Sequence, residues 1–95
     1  MWQTVLLSFL VGVFGANGVP HFVKGITKES YPSLLGNAPV PNLIGGWGSF
    51  VVAILLLHWV SVERYPLVVV ISGAIGVLLI GLFHATGRAV GRKIT

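Results

Sequence analysis

Charged side chains interrupt the apolar pattern of this chain at only three places: Lys24, Lys28 and Glu29; Glu63 and Arg64; and Arg88, Arg92 and Lys93. The stretches 1–23, 30–62 and 65–87 carry no charge. Crossing the hydrocarbon core of a bilayer takes roughly 20 apolar residues at about 1.5 Å each. The pattern therefore predicts an all-α integral membrane protein with three transmembrane helices, over 2–19, 43–62 and 66–90, forming a single transmembrane domain over 1–95.

Between the first two spans, over 20–42, helical periodicity fails. Four of the five prolines (Pro20, Pro32, Pro39, Pro41) fall here with Gly25, Gly36, Asn37 and Asn42, which predicts a long loop on the cytoplasmic side. Pro20 lacks an N–H and disfavours helix at Val19, so the first helix is expected to end or kink there. Phe22 and Ile26 on one face, with Lys24 and Lys28 on another, suit a short amphipathic turn in the headgroup layer. The first run reads as a retained helix, because Met1, Trp2, Gln3 and Thr4 lack the basic start of a signal peptide. At the other junction Glu63, Arg64 and Tyr65 precede Pro66, well placed as a first helical residue. Helices two and three are thus expected to form an antiparallel hairpin.

Composition agrees with this class. The 95 residues are 55% hydrophobic and only 8% charged, against about 25% charged in soluble domains. Three spans put Lys24, Lys28, Arg88, Arg92 and Lys93 on one side and Arg64 alone on the other. The positive-inside rule then predicts a multi-pass protein of the cell membrane, N-terminus outside and C-terminus cytoplasmic. The five inner cations are expected to meet lipid headgroups, at about 1 kcal/mol each. Trp2, Trp59 and Tyr65 form the expected outer aromatic belt, with Tyr31 and Trp47 anchoring the inner one. The net charge of +4 does not indicate nucleic-acid binding, because no basic patch with interleaved aromatics is present.

Thirteen glycines are distributed along the spans. On a wheel at about 100° per residue, Gly73, Gly76, His84, Gly87 and Gly91 share one face of helix three. Gly12 and Gly15 join Thr4 and Ser8 on helix one, and Gly45 and Ser49 lie on helix two. Small residues let membrane helices approach closely, so these positions are expected to pack helix on helix. Three such stripes offer more contact surface than three helices consume, which predicts self-association or docking on another membrane protein.

The three histidines are the side chains in the apolar zones that titrate near neutrality. His21 and His84 are predicted near the inner end, close enough to meet, with His58 near the outer end. Asn17, His21 and the carbonyls freed at Pro20 form a candidate polar pocket under the long loop, with His84 as a further candidate lining residue. A histidine pair on different helices is able to ligate haem iron or a metal, or to relay a proton. No histidine spacing matches a zinc motif, however, and no carboxylate lies in a span to complete one, so no cofactor is expected.

Enzyme chemistry finds little support, because Glu29 and Glu63 are the only carboxylates and lie on opposite sides of the predicted bilayer. The run Gly15, Ala16, Asn17, Gly18, Val19, Pro20, His21, Phe22 resembles the first helix of DoxX-like membrane proteins. It covers a small part of the chain and brings no specific catalytic residue, so no family is assigned. The Pro-Gln hallmark of small sugar half-transporters is missing. The resulting expectation is a homo-oligomer or an accessory subunit of a membrane complex. A small-solute or proton pathway formed between protomers, lined by Asn17 and His84, is the alternative. A His-ligated redox protein or a lipid or quinone enzyme comes third.

Overall fold

The computed structural model describes residues 1–86, and all regular structure among them is helical: α1 (Trp2–Ile26), α2 (Pro39–Leu57) and α3 (Pro66–Ala85). Each helix is long and apolar enough to cross a membrane. The 25 residues of α1 correspond to about 37 Å of helix, and the longest dimension of the molecule is 45 Å. Gly87, Arg88, Gly91, Arg92 and Lys93 lie outside the described residues, as does the predicted extension of the third helix to 90.

Three boundaries differ from the sequence reading. Pro20 does not end α1, which runs on through it to Ile26. A proline interior to a helix forfeits one backbone bond, and membrane helices tolerate this where neighbouring helices satisfy the freed group. The true stop lies seven residues later and is a Schellman motif. Lys28 takes a left-handed conformation at φ 62, its N–H bonds the Gly25 carbonyl at 3.2 Å and the Glu29 N–H bonds the Lys24 carbonyl at 2.9 Å, the pairing that closes such an end. The turn carrying Phe22, Lys24 and Ile26 therefore belongs to α1 and is no separate surface element.

At the other end of the loop, α2 begins at Pro39 instead of 43 and closes at Leu57 instead of 62. Pro39 and Pro41 occupy its first turn, where N–H groups have no intrahelical acceptor to lose. Beyond Leu57 the chain tightens: the N–H groups of His58, Trp59 and Val60 each bond a carbonyl three residues back. Pro66 then opens α3 as expected.

The packing centres on α1, which contacts both other helices, while α2 and α3 do not pack on each other. They are consecutive in the chain but form no packed hairpin. Helix α2 runs antiparallel to α1, with Leu43 beside Gly25, Phe50 beside Gly18 and Ala53 beside Gly15, and α3 runs parallel to it, with Gly73 beside Gly12. Backbones approach closely at both crossings. A Cβ on Gly12 would overlap the Gly73 carbonyl, and one on Gly76 would overlap the Phe9 carbonyl. On the α2 side a Cβ on Gly46 would lie 2.5 Å from the Phe22 nitrogen, and one on Gly18 would lie 2.8 Å from the Gly46 oxygen. Gly15 and Gly45 sit more loosely, at 3.9 Å from the Ala53 Cβ and 3.8 Å from Leu35.

The interior is polar and small, and the exterior is apolar. Thr4, Ser8, His21, Asn42 and Ser72 are buried with Ala53, whereas Trp2, Leu67, Ile54 and Leu78 are exposed. Water would select the reverse. Lipid permits this arrangement, because lipid tails are as apolar as leucine and helices associate there through close packing and hydrogen bonds. The Ser8 hydroxyl is buried without a partner. An unbonded buried hydroxyl costs roughly 1–3 kcal/mol, so Ser8→Ala is expected to raise stability by about 1 kcal/mol, read as a later midpoint in detergent unfolding.

Candidate functional site

The best-bonded polar cluster lies at the end of the molecule where α1 finishes, α2 starts and the segment 27–38 crosses between them. Its centre is Asn42, in the first turn of α2 and fully buried at 0% exposure. Its Nδ2 donates to the Tyr31 carbonyl at 2.6 Å, the Ala38 carbonyl at 3.0 Å and the Asn37 carbonyl at 3.3 Å. Of the two amide atoms only the nitrogen donates to carbonyls, its two N–H groups being shared among the three, which fixes the orientation of the side chain and turns Oδ1 toward α1. There it meets His21 Nδ1 at 2.7 Å. Because Oδ1 only accepts, the His21 Nδ1 carries the proton, and in the neutral form of the ring the lone pair falls on Nε2. Asn42 thus ties the loop to α2 and α2 to α1, and sets the tautomer of a histidine that is 7% exposed.

His84, one residue before the last of α3, brings the third helix to the same place. Its ring centroid lies 5.5 Å from that of His21 in an edge-to-face arrangement. Its Nδ1 donates to the Ile80 carbonyl at 2.8 Å, so here too the neutral form of the ring would carry its lone pair on Nε2. Tyr31 closes the group, edge-on to His21 at 5.2 Å and stacked on His84 at 6.1 Å. Burial pushes the Tyr31 phenol above its ordinary pKa, partly offset by the charge of Lys24, so it is a neutral phenol at physiological pH.

One turn earlier on α1, Asn17 Nδ2 donates to Ser49 Oγ at 3.1 Å, a second polar link between α1 and α2. Asn17, His21 and Ser49 line a cavity of about 210 Å³, with Gly45 beside them and Ser33, Leu34 and Leu35 of the loop above. Of the candidate pocket residues, the structure sets Asn17 and His21 on this cavity and His84 against His21 but off the cavity wall. Ser49, expected as a packing residue, is a hydrogen-bond acceptor. His58 stands apart beside Trp59, with ring centroids 5.4 Å apart.

At the same end Lys24 pairs with Glu29 at 3.1 Å on the surface. Hydrogen bonding from Thr27, then from Lys24 together with its charge, holds the Glu29 carboxyl below its ordinary range. The contribution of this contact is present above the ordinary carboxylate pKa and is lost as pH falls through the lowered value. Lys28, the other headgroup candidate described, is exposed.

Sequence reasoning missed Asn42 and Tyr31. Asn42 stands among prolines just ahead of an apolar run and reads as loop punctuation. The signal available was an amide with four bonding positions entering a segment that excludes water.

Outside this cluster, the gap between α2 and α3 leaves an apolar groove of about 520 Å³ along α1, floored by Gly12, Gly15 and Ala16 and walled by Leu57, Val70 and Ala74. The three candidate spans and the inverted interior point to a multi-pass membrane protein. Compared with known families, curated proteins and solved structures, the chain matches no family, no curated protein and no solved structure.

Proposed function

We propose that this chain is an interaction subunit of the cell membrane that self-associates by seating a helix of a second copy in the groove along α1. The observation that carries the reading is the separation of α2 from α3, which leaves that groove apolar, uncharged and floored by small residues. A floor of glycine and alanine admits a neighbouring backbone at short range, where dispersion and weak hydrogen bonds act. A second copy is the simplest occupant, because every inserted chain carries the same surface and closed symmetric assemblies prevail among oligomers.

Ala74 is exposed on the groove wall, so Ala74→Phe fills the groove without disturbing the α1 contacts. In mild detergent, crosslinking and native mass spectrometry are expected to show a wild-type oligomer and a monomeric Ala74→Phe variant with unchanged helicity. A wild type that stays monomeric at all concentrations overturns self-association, and co-purification of a larger membrane protein in its place assigns the groove to that partner.

The orientation belongs to the same proposal: N-terminus outside and C-terminus cytoplasmic, supported by the excess of inner cations. The chain has no cysteine, which makes single-cysteine labelling clean. Lys28→Cys is expected to resist an impermeant maleimide in intact cells and Ser61→Cys to react. The opposite result inverts the topology.

A further inference from the structure

We propose that His21 and His84 together hold a divalent transition-metal ion of the zinc and copper class through their Nε2 atoms. The pair lies far apart in sequence and forms no spacing motif, and the packing of α3 on α1 sets the two rings 5.5 Å apart. Three observations converge on the assignment.

Each imidazole has its Nδ1 committed as a donor, His21 to Asn42 Oδ1 at 2.7 Å and His84 to the Ile80 carbonyl at 2.8 Å. This is the arrangement that orients metal-ligating histidines: an acceptor on one nitrogen fixes the ring and the tautomer and leaves the other nitrogen basic. Asn42 in turn is held by three backbone carbonyls, so the His21 ring is braced by a residue that cannot reorient. The ring spacing is also suitable. Two imidazoles on one tetrahedral ion, with metal–nitrogen bonds of about 2.0–2.1 Å, have centroids roughly 5–5.5 Å apart, and the observed separation is 5.5 Å.

The surroundings carry no fixed charge that blocks a cation or replaces it. Tyr31 covers both rings as a neutral phenol, Phe83 packs edge-on to His84, and Lys24 is engaged with Glu29. No group of three or more histidine, cysteine, aspartate or glutamate side chains is present among the described residues. The ion would therefore take two protein ligands and complete its shell with water, reached from the side of the half-buried His84. Imidazole suits zinc, copper and nickel, with copper bound most tightly in the usual divalent order. Edge-to-face histidine packing alone is the competing description, and the two differ in what they bind.

The test uses untagged full-length protein in detergent micelles, stripped with chelator and exchanged into chelator-free buffer at pH 7.5. Zinc titration calorimetry is expected to give one ion per chain. Copper-loaded protein is expected to show nitrogen superhyperfine structure from two imidazoles in its paramagnetic resonance spectrum. His84→Ala, which removes only a side chain bonded within its own helix, should weaken zinc binding at least about tenfold and reduce the copper signal to one nitrogen, with circular dichroism unchanged. His21→Ala should do the same. Where that variant fails to fold, His84→Ala and the nitrogen count decide alone. His58→Ala should bind as wild type does. Absence of stoichiometric zinc binding by the wild type, undiminished binding by His84→Ala, or loss of binding in His58→Ala overturns the assignment.

Discussion

Gly12→Leu is expected to detach α3 from α1. The Gly12 position faces the Gly73 backbone so closely that even one added carbon would overlap its carbonyl, and one turn along α3 Gly76 lies equally tight on the Phe9 carbonyl. These neighbours are backbone atoms and have no rotamer to change, so the helices must move apart. Overpacking a tight core costs about 1–3 kcal/mol, sometimes more. Here the upper end applies, because α3 packs on no helix but α1, and the stacking of Tyr31 on His84 is a contact at one end alone. Gly15→Ala is the matched control. Its nearest neighbour is the Ala53 Cβ at 3.9 Å, ordinary contact, and its effect should stay within about 0.5 kcal/mol. Unfolding by graded SDS in mixed micelles, followed by tryptophan fluorescence, checks both. Equal midpoints for the two variants would remove the close crossing from the description.

The second large effect belongs to Asn42→Ala. Truncation leaves the His21 Nδ1 proton without its acceptor and the Tyr31 carbonyl without its donor, while the carbonyls of Asn37 and Ala38 keep the backbone N–H groups of Tyr31 and Asn42. Buried polar groups stripped of partners cost roughly 1–3 kcal/mol each. Two groups are stripped in this way and local repacking recovers part of the sum, so the expected loss is about 2–4 kcal/mol. Asn42→Asp should be no better, since it turns a second oxygen toward three carbonyls. The same SDS unfolding reports the stability, and amide exchange at Tyr31, whose N–H bonds the Asn37 carbonyl at 2.9 Å, reports release of the loop. A change below about 1 kcal/mol with Tyr31 still protected would show that Asn42 holds nothing in place.

The three helices were legible in the sequence because charge is too costly in hydrocarbon to be scattered, so the uncharged stretches mark the spans. Their ends were not, because each is decided by a detail below the level of pattern. Pro20 breaks a helix by local rule but lies inside α1. Lys28 supplies a left-handed end where glycine is the usual signal, and Pro39 opens a helix in a stretch that reads as irregular. Chain order also misled: adjacency of α2 and α3 predicted a packed hairpin, whereas the closest approaches pair each of them with α1. The meeting of His21 and His84 followed from depth alone, since both lie near the same ends of parallel helices. Asn42 did not, because its partners are backbone atoms of a loop whose path no periodicity describes.

The central place of α1 bears on biogenesis. It is synthesised before α2 and α3 and carries both surfaces that they need, so each can dock on it as soon as it is made, without waiting for the other. A chain cut after residue 60 keeps one whole interface and the buried amide that braces it. A chain begun after residue 27 keeps two hydrophobic rods with no surface in common.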